Sequence, residues 1–325
     1  MKKTIVLLAI LFVGGQFSQA AVIGTTDDAL TIGGGARPIG MGRAFTAIVD
    51  DADAPFINPA GLAGIKGPQA MSMYTNLLGE VYYQEFSGAV PTPNGTVGLG
   101  YITTGVNNIP TTPIPTDYYD SLFLVSYSVP IARFFDYGKN VFIGLNYKIF
   151  NRGYTGGIGQ FATGTSADAG LLVIVNPNLS LGLCRQNILP VSMGGVLRLD
   201  GGAEEALAGI TKAGVAIKPI PQPKLTVAVD VDLPAQSARP LTSHLGLEWK
   251  ENNYLMLRAG IDQSVDPGTA TQTSWNPSFG TSLTVGNFRV DYAYHQYYND
   301  PGLATTYVSM SYTGEPWFAL KGRAE

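Results

Sequence analysis

A period of two in hydrophobicity constrains this 325-residue chain more than any other feature. In Leu225 to Asp232, Leu225, Val227, Val229 and Val231 share one face, while Thr226, Ala228, Asp230 and Asp232 share the other. Leu245, Leu247 and Trp249 alternate with His244, Gly246 and Glu248. Leu255 to Asp262, Phe288 to His295 and Val141 to Ile149 repeat the pattern. Successive side chains of a strand point to opposite sides, so each segment reads as a strand with one apolar face. About fourteen such segments lie between Ala70 and Thr313, most of them about ten residues long, the length of a tilted strand that crosses a bilayer. Asn94-Gly95, Asn176-Pro177-Asn178, Asn252-Asn253 and Gly286-Asn287 mark tight turns between them. The stretches Thr104 to Asp117 and Asn187 to Ala206 read as longer loops.

Alternation alone does not say whether the apolar face meets lipid or the core of a two-sheet sandwich. Three observations favour lipid. Charged residues make up only 14% of the chain, against roughly 25% in soluble domains. Tyrosine and tryptophan recur near strand ends (Tyr74, Tyr82, Tyr83, Tyr118, Tyr119, Trp249, Tyr254, Trp275, Tyr297, Tyr298), as in the aromatic girdles of membrane barrels. Finally, Lys2 and Lys3, the apolar run Ile5 to Val13 and Ser18-Gln19-Ala20 form an export signal cleaved after Ala20. The expected fold is all-β: a transmembrane antiparallel β-barrel of about 14 strands over residues 69–313 in the bacterial outer membrane. A signal peptide at 1–20, a separate segment at 21–68 and a tail at 314–325 complete the organisation.

Other function classes are excluded. One Cys and two His give neither a disulfide framework nor a metal cage, so no metal or cofactor is expected. A net charge of −4 argues against a nucleic-acid partner. No serine occupies a G-x-S-x-G elbow, and the chain is not read as an enzyme. Gly40-Met41-Gly42 lacks the third glycine of a dinucleotide fingerprint, and Asp51-Ala52-Asp53 lacks the rest of a calcium loop.

Residues 33–64 carry an ordered motif: Ala36-Arg37, Gly40-Met41-Gly42-x-Ala44-Phe45, Asp50-Asp51 and Asn58-Pro59-Ala60-Gly61-Leu62. This region resembles the N-terminal part of the FadL-like outer-membrane barrels, most closely the PorV/PorQ family. The resemblance implies a fourteen-stranded barrel whose N-terminal segment folds inward as a hatch, with Arg37, Gly40, Gly42, Phe45, Asp50, Asp51, Asn58, Pro59 and Ala60 as its motif residues. On their own terms, Ala44, Phe45, Ala47, Ile48 and Val49 suit a short helix with an apolar stripe. Asn58-Pro59 suits a turn that ends the segment, and Arg37, Arg43, Asp50 and Asp51 suit pairing with charges in a polar lumen.

Strand parity places seven ionisable residues on the lumen side: His244, Glu248, Arg258, Asp262, Arg289, Asp291 and His295. They read as a paired polar lining or as a docking patch for the hatch. Two functions follow from the resemblance. One is a plugged channel in outer-membrane lipid that passes hydrophobic small molecules, with an apolar pocket lined by Ile109, Pro110, Ile114, Pro115, Ile188, Leu189, Pro190 and Val191. The other is an accessory barrel of a type IX secretion apparatus that receives exported proteins. The last strand is followed by Gly314 to Glu325, so Tyr312 or Phe318 would supply the closing aromatic residue.

Overall fold

The computed structural model describes residues 32–316, apart from 78, 135–137, 139, 220–223, 236–238, 266–270 and 298–303. The signal peptide, Tyr298, Phe318 and most of the tail lie outside the described residues. The chain forms β1 (Gln69–Leu77), β2 (Val81–Thr92), β3 (Gly95–Ile109), β4 (Thr116–Pro130), β5 (Val141–Tyr154), β6 (Gln160–Asn176), β7 (Leu179–Gln186), β8 (Val196–Leu199), β9 (Glu204–Ala206), β10 (Ile210–Ile217), β11 (Leu225–Pro234), β12 (Thr242–Lys250), β13 (Leu255–Val265), β14 (Thr273–Val285), β15 (Phe288–His295) and β16 (Thr305–Thr313). Fourteen of these strands form one antiparallel sheet, which the β1–β16 pairing closes into a barrel. The remaining two, β8 and β9, form a small hairpin on the edge of β6.

All fourteen expected strands are present. The long loop at 187–206 is the first correction, because β8 and β9 lie within it. The loop at 104–117 is the second: β3 runs on to Ile109 and β4 begins at Thr116, leaving only six residues between them. Strands β3 to β6 contain 14 to 17 residues, more than the roughly ten that a bilayer requires. They stand above the rest of the wall on the side of the longer connections. By the usual asymmetry of such barrels, the tight-turn end faces the periplasm and the long-loop end faces outward.

The outer surface of the barrel carries exposed Leu145, Leu245, Leu257, Phe279, Val290 and Val308, among many others. A continuous apolar band of this kind is stable only in lipid. The inner face mixes polar and small residues with buried apolar side chains such as Met73, Ile102, Leu124 and Phe150. Tyr83 departs from the aromatic-girdle expectation, since it points inward and is fully buried.

Residues 33–65 run inside the barrel. They form the short helices α1 (Ala36–Gly40) and α2 (Ala54–Ile57) and a 3₁₀ turn at Pro59–Gly64. The helix expected over 44–49 does not form. Only a single turn closes onto the Phe45 carbonyl, and the backbone N–H groups of Phe45 and Thr46 at its start donate to Asp230 Oδ2 at 2.8 and 2.7 Å. Asn58-Pro59 starts a turn, as expected, and this turn is the last element before β1. Asn58 caps the 3₁₀ turn through Ala60 N–H and also donates to the Thr46 and Leu171 carbonyls.

Inward-facing glycines on the wall bring the segment's backbone into direct contact with the strands. A Cβ on Gly144 or Gly170 would overlap Pro59, Asn58 or Ala60, and one on Gly182 would overlap Thr46. On Gly246 or Gly260 it would overlap Met41 or Gly42. The register pairs Gly144 with Gly170, Gly182 with Gly214 and Gly246 with Gly260, so the glycines form a belt on neighbouring strands. Gly42 itself has φ +58 where it meets Ile261, a backbone that other residues rarely adopt. Substituting Gly260→Val is expected to unseat the segment, because overpacking of this kind costs at least about 1–3 kcal/mol. The check is the temperature at which the folded barrel loses its fast gel mobility, together with protease access to residues 33–65. Gly260→Val should lower that temperature, whereas Gly88→Ala, whose added Cβ meets nothing closer than 3.6 Å, should not.

Candidate functional site in the barrel lumen

Three motif residues, Arg37, Asp50 and Asp51, meet wall charges in one ion cluster, buried except at Asp50. The Arg37 guanidinium donates to Asp50 at 2.7 Å, to Asp51 at 2.9 Å and through two nitrogens to Glu248 at 3.0 and 3.1 Å. Glu248 also accepts from Arg258 at 2.7 Å, and Arg258 lies 3.3 Å from Asp291. Arg289 closes the ring, reaching Asp51 at 3.0 Å and Asp291 at 2.7 Å. Asp291 further accepts a hydrogen bond from Ser282. Arg37 lies 4.8 Å from the Phe45 ring centroid, which adds a cation–π contact. The cluster thus links the segment to β12, β13 and β15.

The structure brings Glu248, Arg258, Arg289 and Asp291 together with Arg37, Asp50 and Asp51. His244, Asp262 and His295 face the lumen but do not join that cluster. His295 Nε2 lies 2.6 Å from Asp262 Oδ1, and His244 Nε2 lies 3.6 Å from Asp232 Oδ2. Gly40 packs against Gly280 of the wall. Pro59 starts the 3₁₀ turn, and the Ala60 carbonyl accepts from Ser128 Oγ at 3.2 Å.

The wall satisfies the segment's backbone from several directions. Glu85 accepts from Gly34 N–H, Ser309 from Ala36 N–H and Ser278 from Gly42 N–H. Asn146, Gln186 and Ser180 donate to the carbonyls of Pro55, Phe56 and Ala47. None of these wall residues stands out in the sequence, apart from the lumen-side parity of each. Asp230 came closest, as an acidic residue opposite the cleanest aliphatic row.

Two carboxylates of the segment respond to this setting in opposite senses. Burial pushes the Asp51 carboxyl up, but Arg37 and Arg289 outweigh it and hold the pKa below the usual range. Burial drives Asp53 well above that range, and Asp51 and Glu85 add to the shift. Its Oδ1 has no hydrogen-bond partner among the described residues. For Arg37, burial opposes the charge, yet Glu248, Asp50 and Asp51 together raise the pKa further.

The segment also divides the lumen. An upper cavity of about 170 Å³ opens toward the long loops. Phe45, Phe56 and Ile57 line it from the segment, and Leu124, Phe150 and Leu197 line it from the wall and the β8–β9 hairpin. Lys148, Lys212, Asp168 and Asp232 supply polar lining, paired as Lys148–Asp168 and Lys212–Asp232. A lower cavity of about 360 Å³ lies on the tight-turn side, against Ala47 to Asp50. The two cavities share no lining residue. The expected pocket lining is corrected here. Ile109, Pro110, Ile114, Pro115 and Ile188 to Val191 line neither cavity; Ile114, Ile188 and Val191 are exposed instead. The outer strands carry their loop residues past the cavity, and the hairpin turns Leu197 and Leu207 into it.

No family model and no curated protein matches the chain. Among solved structures, a deltaS2 mutant of the monoaromatic hydrocarbon channel TodX superposes with a TM-score of 0.62 at 14% identity, covering 89% of this chain and 100% of that one. TodX is a toluene transporter of Pseudomonas putida. The CymD monoaromatic hydrocarbon channel gives 0.61 at 12% identity over 88% of this chain and 98% of its own. A FadL homologue from Pseudomonas aeruginosa gives 0.58 at 12% identity over 86% and 98%. The chain therefore has the barrel fold of the FadL-type channels. These neighbours are transport proteins, not enzymes.

Removing Arg37 would leave three acids without their shared partner. Glu248 keeps Arg258 and Asp51 keeps Arg289, so Arg37→Met should cost less than a buried charge left unpaired, about 3–5 kcal/mol, yet still raise protease access to the segment and lower the gel-shift temperature. The two carboxylates should respond oppositely to pH. An Asp in the unfolded chain ionises above about pH 4. Because the native state keeps Asp53 protonated, stability from it is lost as pH rises, and Asp53→Asn should melt higher than the parent at neutral pH, with the difference vanishing in acid. Asp51 has the reverse sign: Asp51→Asn should melt lower at neutral pH, with the deficit fading as acid protonates Asp51. Melting temperatures of the three proteins across the acid range check both signs.

Proposed function

We propose that the chain is an outer-membrane barrel that passes hydrophobic small molecules, with residues 33–65 acting as its hatch. The observation that carries this reading is the upper cavity. Aromatic and aliphatic side chains of the segment form one part of it, and apolar side chains of the barrel and hairpin form another. Its volume of about 170 Å³ has room for one small molecule, with apolar lining on one side and the paired Lys148–Asp168 and Lys212–Asp232 on the other. The fold neighbours, described as hydrocarbon and toluene channels, support the same class of cargo. The likeness of residues 33–64 to the PorV/PorQ family allows a secretion role as well. A cavity the size of one small molecule favours small-molecule passage over receipt of an exported chain.

Native mass spectrometry of protein extracted in mild detergent tests the two readings. Bound lipid or hydrocarbon mass is the expected result. Stoichiometric polypeptide with an empty lumen would overturn it in favour of secretion. Crystals soaked with bromobenzene should place bromine between Phe56 and Leu197. Ala208→Trp, which projects a large ring from the cavity wall, should weaken bromobenzene binding by about tenfold or more, a loss of roughly 1.4 kcal/mol. Unchanged affinity in that variant would move the binding site elsewhere.

A further inference from the structure

The wall around the upper cavity changes its construction beside β6. Strand β5 stays paired with β6 up to Gln160, but β7 leaves β6 at Ala169. The β8–β9 hairpin fills the space above, joined to β6 through the pairs Ala162–Leu199, Thr163–Arg198 and Gly164–Leu197. Strand β9 is the end of the sheet. It pairs with β8, and among the described residues no backbone hydrogen bond joins it to β10 or β11. The wall resumes at Gly209, whose carbonyl accepts from Ala235 N–H at 2.8 Å. The hairpin is thus attached along one edge.

Its two ends suit rotation, since hinges are short stretches that absorb a change of backbone angle. The chain enters through Gly194-Gly195, where Gly194 has φ +103 and a Cβ on Gly195 would overlap the Leu189 carbonyl. It leaves through Leu207-Ala208, and Leu207 N–H donates to the Gly195 carbonyl at 3.2 Å, which sets the two ends side by side. The two faces of the hairpin differ. Leu197 on β8 and Leu207 at the exit are buried and line the upper cavity, together with Glu205 and Ala206. On the other face Arg198 and Glu204 form an exposed pair at 2.9 Å. Charges of this kind are costly in hydrocarbon, so that face meets head groups and the outer medium rather than lipid tails. The Arg152–Glu205 pair, 3.2 Å long and partly exposed, ties the hairpin to β5, and Arg152 also holds Asp120 of β4 at 2.7 Å.

We propose that the β8–β9 hairpin is a hinged panel, turning on Gly194-Gly195 and Leu207-Ala208, that admits cargo to the upper cavity from the outer medium, with Arg152–Glu205 as its latch. Closed, its leucines complete the apolar wall of the cavity. Open, they offer an apolar path from the surface inward. The inference rests on the reading of the upper cavity as a site for small hydrophobic molecules and adds the way in.

A disulfide across β6 and β8 tests it on the full chain in nanodiscs, in a Cys184→Ala background that removes the one native cysteine. Ala162 and Leu199 are directly paired and line neither cavity, so A162C/L199C pins the panel without altering the cargo site. Fluorobenzene is the probe, and fluorine NMR gives its exchange rates and Kd. The oxidised protein should take up and release it about tenfold more slowly at unchanged Kd, and dithiothreitol should restore the rates. Equal rates in the oxidised and reduced forms would overturn the panel as the entrance. Amide hydrogen exchange gives a second readout. Residues 196–206 of the parent should exchange together and faster than the β5–β6 ladder, and Glu205→Gln should speed them about two- to fivefold. A hairpin as protected as β5 and β6 would overturn the proposal. If the parent binds no fluorobenzene, the hydrocarbon reading is discarded; a hairpin that still opens as a unit would retain the panel, and a protected one would discard both.

Discussion

The lumen is organised by backbone-to-wall contact. A polypeptide inside a fourteen-stranded barrel meets a ring of inward side chains, and here the ring is cut away where the segment passes. Gly144, Gly170, Gly182, Gly246 and Gly260 leave no Cβ between wall and segment. The gain is close packing over much of the circumference; the cost is the conformational entropy of glycine in strands. Close approach also puts the segment's N–H and C=O groups within reach of short wall side chains, so Ser278, Ser309, Ser128 and Asn146 satisfy them directly. A buried loop without such partners would carry unsatisfied backbone groups. The belt and the hydrogen bonds are two consequences of one geometry.

The architecture was legible because alternation with a period of two survives in nearly every strand. Once the outward face is recognised as aliphatic, parity alone turns His244, Glu248, Arg258, Asp262, Arg289, Asp291 and His295 inward. What parity cannot supply is partnership across the lumen. Arg37 and Glu248 are 211 residues apart, and nothing local marks one as the partner of the other, or separates them from the His295–Asp262 pair. The hairpin of β8 and β9 was missed because strands of four and three residues are too short to show a period. With it went the true upper-cavity wall, since Leu197 lies in the hairpin and Leu207 just after it. The apolar residues at 44–49 suggested a helix, but only one turn forms, closing onto the Phe45 carbonyl, and Asp230 caps its first N–H groups from the wall.

Seating and division of the lumen fall to different parts of the same segment. Wall contacts through glycine fall on residues 40–47 and 55–62. Residues 48–53 receive none of them. Charge holds that arc instead: Asp50 and Asp51 to Arg37, and Asp51 to Arg289. Val49 and Asp50 line the lower cavity, while Phe45 and Phe56, flanking the arc, line the upper one. At residues 40–47 and 55–62 packed backbone contact seats the segment on several strands at once. At 48–53 Val49, Ala52 and Asp53 are buried in the core without such contact, Arg289 ties Asp51 to the wall, and Asp50 turns an exposed carboxylate to the lower cavity. The two cavities are therefore separated by one segment held in two ways, by backbone contact with wall glycines on its flanks and by buried apolar packing and ion pairs across the arc between them.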